Sequence, residues 1–132
     1  DDTENAGFST GKPWLKVNPN YTQINVKESL ADEDSIFYYM QRLIRMRKEN
    51  EIAVYGDFKE YEPENESLYI YERTLAHEKM FVVLNFTEEE VDFTLPEGID
   101  GSNATLLIGN YAGGRELKDG TLKPYEACVY MI

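Results

Sequence analysis

Acidic side chains are the most numerous groups in this sequence that could do chemistry, with 25 Asp and Glu among 132 residues. Hydrolysis by a carboxylate pair requires two such groups about 5–10 Å apart on a rigid scaffold, one of them with a raised pKa. Here the acids fall in predicted turns, at helix ends and on the wet faces of strands. Glu88-Glu89-Glu90 is typical of a turn, and no pattern fixes the separation of Asp1, Asp2 and Glu4. We therefore expect no catalytic residue in this chain.

The single histidine and the single cysteine indicate structural positions. His77 lies between two strand candidates, where we expect an exposed turn residue. Cys128 excludes a disulfide within the chain and lies in an apolar strand pattern, which predicts a small buried core residue. One His and one Cys cannot form a zinc site without carboxylate help, and no segment has the spacing of a calcium loop. We expect no metal ion and no cofactor.

Aromatic side chains are better suited to ligand contact than the titratable groups. Tyr69 and Tyr71 are expected on one face of a strand, opposite Leu68 and Ile70. Rings on an open sheet face can stack on sugar rings, and the chain would then be a stand-alone carbohydrate-binding β-sandwich module. The alternative, which we favour, is that both tyrosines belong to a second sandwich layer or to an interface with a partner.

Charge and composition exclude two classes of partner. The formal net charge is −12, and such an acidic surface repels phosphate backbones and anionic lipid, so we expect no nucleic acid and no membrane partner. No apolar run approaches the ~20 residues of a membrane span, and no signal peptide pattern is present. Together with the single cysteine, this predicts a reducing, cytoplasmic location.

One amphipathic helix is predicted over residues 34–50. Ile36, Phe37, Met40, Leu43 and Ile44 give it a wide apolar stripe, while acidic residues at its start and basic residues at its end complement the helix dipole. Before it, residues 1 to about 31 have no sustained period and are predicted to form a long ordered loop.

From residue 51 the pattern changes to short strands separated by turns, which predicts a mainly β domain over 51–132, most simply an antiparallel β-sandwich. Residues 80–84 are apolar on both faces and should form a central strand. Val91 and Phe93 alternate with polar residues, so their strand should have one wet face. The strand candidates are 52–55, 58–61, 68–74, 80–86, 91–95, 104–108, 121–123 and 125–131.

Several motifs resemble glycoside hydrolase family 13, in the group of oligo-1,6-glucosidases, dextran glucosidases and trehalose-6-phosphate hydrolases. The specific parts are NAGF at residues 5–8, GKPW at 11–14, and VNPNY followed by INV within 17–26. The segment 34–48 resembles the last helix of the catalytic (β/α)8 barrel in that family. The remainder, which ends in YEACVYMI, resembles its C-terminal β domain.

The resemblance implies that this chain is a non-catalytic part of a larger enzyme. The family is retaining and uses an Asp nucleophile, a Glu acid/base and a further Asp, and no position of this chain matches those three carboxylates. Residues 1–50 would be the end of the barrel and 51–132 the C-terminal domain. Phe8 and Trp14 are candidates for the rim of a sugar pocket, and the alternative is that both anchor their loop. The partner would be the missing barrel of an α-glucosidase acting on α-linked gluco-oligosaccharides, and oligosaccharide would be bound only through that parent enzyme.

The helix 34–50 would normally bury its stripe against the barrel. Exposing such side chains forfeits about 1.5–3 kcal/mol each. We therefore expect the stripe to pack on the sandwich or to pair with another copy of the chain, which would make a homo-oligomer through helix 34–50.

Overall fold

A computed structural model describes all residues, 1–132, and the chain divides into two compact units, Asp1–Arg42 and Leu43–Ile132. The border between the units falls within a long helix, not at residue 50, and the predicted domain boundary there stays a prediction.

The first unit is mostly irregular chain with short helical turns. Two 3-10 turns, Glu4–Gly7 and Pro19–Thr22, precede helix α1, Val26–Ala31. The prediction of a loop over 1–31 is wrong for α1. This helix has six residues, too few to show an apolar period. The sequence feature that indicates it is the N-cap residue Asn25, whose side chain accepts from the Glu28 N–H at 3.0 Å.

Helix α2, Ile36–Glu49, confirms the predicted amphipathic helix within two residues at each end. The Ser35 carbonyl accepts from the Tyr39 N–H, and the turn before the helix is held by Asp32, whose carboxylate accepts from the Asp34 N–H at 3.0 Å. Arg47 and Lys48 lie in the last turn, where positive charge is favourable.

The second unit is an antiparallel β-sandwich, as predicted. The strands are β1 Asp57–Tyr61, β2 Leu68–Leu75, β3 Glu78–Asn85, β4 Val91–Phe93, β5 Thr105–Gly109, β6 Gly120–Leu122 and β7 Ala127–Met131. A five-stranded sheet has the order β1-β2-β3-β7-β5, and a two-stranded sheet pairs β4 with β6. As predicted, β3 is the central strand and is apolar on both faces.

The predicted strand at 52–55 is wrong, because these residues form helix α3, Ile52–Tyr55. Ile52 is buried against Met80 and Val82 of β3. Arg73 of β2 donates from Nε to the Ile52 carbonyl at 3.2 Å and from Nη2 to the Gly56 carbonyl at 2.9 Å. These four residues, of which Ile52 and Val54 are β-branched, form a helical turn whose carbonyls accept hydrogen bonds from β2. The local sequence pattern does not show that partner.

The core has two layers, one on each face of the five-stranded sheet. Between the sheets, Phe93 and Leu122 pack on Phe81, Ile70 and Tyr130. On the other face, Met46 and Ile52 pack with Met80 and Val82. Cys128 is buried in the first layer, as predicted.

Buried polar side chains in the sandwich are paired. Asn85 donates to the Glu89 and Lys123 carbonyls at 2.8 and 2.9 Å, which ties the end of β3 to two turns. Glu126 accepts from the Lys123 N–H at 2.8 Å and lies 3.7 Å from Arg115. No buried side-chain nitrogen or oxygen lacks a partner, and these bonds therefore fix the turns around β7.

The apolar stripe of α2 is exposed along most of its length. Ile36, Met40 and Ile44 are 83%, 46% and 51% exposed, whereas Leu43 is partly buried and Met46, which lies outside the stripe, packs on the sandwich core. Ile44 belongs to the same unit as the sandwich, so the expectation that the sandwich covers the stripe is wrong for this residue. Pairing of the stripe with a second copy stays a prediction.

Candidate functional site

The loop that holds Phe8 and Trp14 begins with a run of left-handed backbone. Asn5, Ala6 and Gly7 have φ values of 55°, 57° and 75°. Asn and Gly tolerate this region, whereas Ala does so at a cost of about 1 kcal/mol or more. A Cβ on Gly7 would approach the Asp1 carboxylate to 2.7 Å, but this exposed side chain can move aside, so the position favours glycine through its φ.

Side-chain amides and hydroxyls hold the loop in shape. Asn5 Nδ2 donates to the carbonyls of Ser9 and Gly11 at 2.9 and 3.2 Å. Ser9 Oγ accepts from the Gly11 N–H at 3.0 Å. These bonds close the turn that directs Phe8 outward.

Phe8 and Trp14 line the same apolar cavity of the first unit, with a volume of about 700 Å³. They are 88% and 92% exposed, so their rings form its open side. The cavity is within the size range of small-ligand sites. Its other apolar walls are Ala6, Pro13, Leu15, Val17, Tyr21, Ile24 and Val26.

Sequence reasoning identified two of these wall residues and missed the others. Leu15 and Val17 lie in the segment after Trp14, Ile24 precedes the cap residue Asn25, and Val26 is the first residue of α1. The available signal was two pairs of apolar residues, each pair separated by one polar residue, in a segment without a sustained helical or strand period. The structure thus places Phe8 and Trp14 together, while their role at a sugar-pocket rim stays a prediction.

The polar groups of the cavity suit binding and not bond cleavage. Asp1 is the one acidic residue among its walls, whereas glycosidic hydrolysis requires a pair. The wall amide of Asn25 donates to the Tyr21 carbonyl at 2.9 Å and caps α1, so it serves the fold. An apolar, aromatic-walled cavity of this kind can contact the apolar face of a sugar ring.

An ion pair between Asp2 and Lys27 ties the start of the loop to α1. Lys27 Nζ lies 2.9 Å from the Asp2 carboxylate. This hydrogen bond lowers the pKa of Asp2 below its ordinary value and raises that of Lys27. Both groups are exposed, so solvent screens the interaction.

The remaining titratable candidates lie outside this cavity. His77 and Glu88, Glu89 and Glu90 are exposed in turns, as predicted. Burial raises the pKa of the Cys128 thiol, which disfavours the reactive thiolate. Among residues 1–132 no group of three or more His, Cys, Asp or Glu could hold a metal ion, and no helix is both long and apolar enough to cross a bilayer.

Two family models match the chain in succession. Residues 1–56 match the model described as alpha amylase, catalytic domain, and residues 58–129 match the maltogenic amylase C-terminal domain. The first match includes the Phe8 and Trp14 loop, and the second includes all seven strands except the ends of the first and last.

Curated relatives match over the full length of this chain. It is 49% identical to oligo-1,6-glucosidase of Bacillus cereus, 42% to glucan 1,6-alpha-glucosidase of Streptococcus pneumoniae and 38% to trehalose-6-phosphate hydrolase of Bacillus subtilis. In each case the match covers 100% of this chain and 24% of the relative. The chain thus spans about a quarter of the length of these proteins.

Solved structures match this chain over the same share of their length as the curated relatives. The trehalose-6-phosphate hydrolase of Bacillus licheniformis superimposes with a TM-score of 0.91 at 41% identity, over 99% of this chain and 24% of that one. The trehalulose synthase of Pseudomonas mesoacidophila gives 0.88 at 36% identity, over 99% and 24%. The chain therefore belongs to glycoside hydrolase family 13, the α-amylase family, and comprises part of a catalytic domain followed by the C-terminal domain.

Proposed function

We propose that this chain is the non-catalytic C-terminal part of an α-glucosidase that acts on α-linked gluco-oligosaccharides, and that it completes and stabilises the catalytic barrel. The observation that carries the proposal is the full-length match to a quarter of several glucosidases and hydrolases, in a chain whose Phe8 and Trp14 cavity has Asp1 as its one acidic wall residue. The carboxylates that cleave the substrate would then lie in the rest of the parent enzyme.

The exposed apolar surfaces of the first unit support this proposal. Phe8, Trp14 and Ile36 are more than four-fifths exposed, and a free protein seldom leaves several large apolar side chains in water. In a complete barrel the neighbouring strands and helices would cover the α2 stripe. Phe8 and Trp14 would remain at the mouth of the sugar pocket.

A chimaera tests the proposal. The 133-residue region of B. cereus oligo-1,6-glucosidase that matches this chain would be replaced by residues 1–132. We expect the chimaera to hydrolyse isomaltose, the same enzyme without that region to be inactive, and the isolated chain to show no turnover. A folded chimaera with no activity, or glucose release by the isolated chain, would contradict the proposal.

The second candidate function, a stand-alone carbohydrate-binding module, is favoured by the aromatic side chains of the sandwich. Tyr69 and Tyr71 share one face of β2 with ring centroids 5.3 Å apart, as predicted from the sequence. Titration of the isolated chain with isomaltose, maltose and longer glucans decides between the two. Millimolar binding that perturbs these two rings would support the module.

A further inference from the structure

Four aromatic rings form a continuous row on one face of the five-stranded sheet, which we name the aromatic row. Its order is Phe58, Tyr71, Tyr69 and Phe86, with successive centroids 5.3, 5.3 and 6.4 Å apart. Phe58 and Phe86 are 51% and 64% exposed, and the two tyrosines are half-buried. The row therefore presents a large apolar surface to water.

Strand register places this row on the face away from the second sheet. Tyr69 and Tyr71 pair with Leu84 and Val82, whereas the β2 residues that point the other way, Leu68 and Ile70, pack between the two sheets. The β4-β6 layer closes that inner face, so the aromatic row belongs to the outer one.

The outer face is already covered at one end by residues of the catalytic-domain match. Met46 and Ile52 lie within residues 1–56, and both pack on Met80 and Val82. Tyr71 belongs to the same apolar cluster. The aromatic row is thus continuous with an interface between catalytic-domain residues and the sandwich.

We propose that the aromatic row is the surface on which the remaining catalytic domain of the parent enzyme packs. This inference rests on the proposed function and adds the site of contact. The relatives are about four times as long as this chain, so a domain large enough to cover the row exists in them. An aromatic side chain can bury roughly 150–250 Å², and Phe58 and Phe86 still expose 51% and 64% of their surface, so these two rings can supply part of the ~800 Å² per partner of a stable interface.

Ring geometry favours a protein over a glucan as the occupant. Successive rings are tilted by 39°, 46° and 66°, so they offer no flat platform for consecutive sugar units. The two most exposed rings are phenylalanines, which cannot hydrogen-bond to sugar hydroxyls. Tilted rings instead fit interdigitating side chains of another protein surface.

Hydroxyl-radical footprinting of the isolated chain and the chimaera tests the inference. We expect labelling of Phe58 and Phe86 to fall several-fold in the chimaera, while labelling of Tyr111, an exposed ring in the turn after β5, stays unchanged. A chimaera that hydrolyses isomaltose with Phe58 and Phe86 labelled as in the isolated chain would overturn the inference and leave the proposed function standing. A second host, the B. licheniformis trehalose-6-phosphate hydrolase, provides the same measurement should the first chimaera not fold.

Lysine variants test the same inference through the thermal midpoint of unfolding. Phe58→Lys and Phe86→Lys should lower the thermal midpoint of the chimaera by several degrees and change the isolated chain little. Thr94→Lys, at an exposed position after β4, is the matched control and should change neither. Equal effects of all three variants would overturn the inference. So would protection of Phe58 in the isolated chain by isomaltotriose, or by raising the chain concentration, since the occupant would then be a glucan or a second copy.

Discussion

At the scale of single residues, Tyr130 makes the stability of the sandwich depend on pH in the alkaline range. It is 1% exposed, its hydroxyl donates to the Arg115 carbonyl at 3.2 Å, and burial raises its pKa well above the ordinary value. The folded chain keeps this proton above pH ~10, where the unfolded chain loses it. Because the unfolded state then binds fewer protons, the free energy of unfolding falls as pH rises, by about 1.4 kcal/mol per pH unit for each such group.

In the Tyr130→Phe variant the free energy of unfolding should therefore fall less steeply as pH rises through the alkaline range. At pH 7 the variant loses one hydrogen bond, which costs about 1 kcal/mol. Above pH ~10 its deficit should shrink, because Phe has no proton to release in either state. Urea unfolding between pH 7 and 11 measures both effects, and parallel curves for the parent and the variant would contradict the argument.

Phe8 and Trp14 should affect substrate binding more than catalysis. In the chimaera, Phe8→Ala and Trp14→Ala should each raise KM for isomalto-oligosaccharides several-fold with little change in kcat, since an aromatic wall contacts the sugar in both ground and transition states. Tyr125→Ala is the control, because Tyr125 is an exposed ring in the turn before β7 that does not line the cavity. Unchanged KM with a lowered thermal midpoint would show that both rings only anchor the loop.

At the scale of elements, Arg73 stabilises the helical turn at 52–55. Its guanidinium donates to the carbonyls of Ile52 and Gly56, while Arg47 donates to the Ala53 carbonyl at 3.1 Å. Arg73→Met keeps the alkyl stem and removes these bonds, which should cost about 1–3 kcal/mol. Chemical unfolding measures the loss, and Arg45→Met on the exposed face of α2 should stay within about 0.5 kcal/mol of the parent.

The same element shows what sequence patterns could predict. Alternation and turn residues predicted seven of the strands, the central position of β3 and the outward face of Tyr69 and Tyr71, because these depend on local period and burial. The helical turn at 52–55 depends on Arg73, which is 21 residues away from Ile52. The cavity around Phe8 and Trp14 depends on consecutive left-handed residues, and side-chain periodicity carries no signal for that backbone.

The exposed stripe of α2 should drive self-association of the isolated chain. Ile36, Met40 and Ile44 present an apolar surface that a second copy can cover through the same stripe. Sedimentation velocity should show a concentration-dependent dimer, and Met40→Lys should shift it to monomer. Glu49→Lys, at an exposed position on the opposite face of the same helix, should not. A parent chain that is monomeric at all concentrations would contradict this prediction.

At the scale of the whole molecule, stability should be distributed unevenly. Among residues 1–31 only Ala6 is buried, whereas the sandwich buries a contiguous core that includes Phe81, Phe93 and Tyr130. Burial of apolar area is the main favourable term in folding, so segments with little of it open at small free energy. Amide exchange in 1–31 should therefore be fast in the isolated chain, while β3 should exchange only by global unfolding.

In the chimaera the difference in amide exchange between residues 1–31 and β3 should become smaller. A complete barrel would cover the apolar side chains around α1 and the cavity, and each fully covered large side chain contributes roughly 1.5–3 kcal/mol. Exchange in residues 1–31 should then slow by orders of magnitude, with β3 changed far less. Hydrogen exchange read by mass spectrometry gives both segments in one experiment, and equal slowing in both would mean that the added domain acts on the sandwich and not on the loop. Selective slowing in 1–31 would instead mean that this segment gains its stability from the barrel it completes.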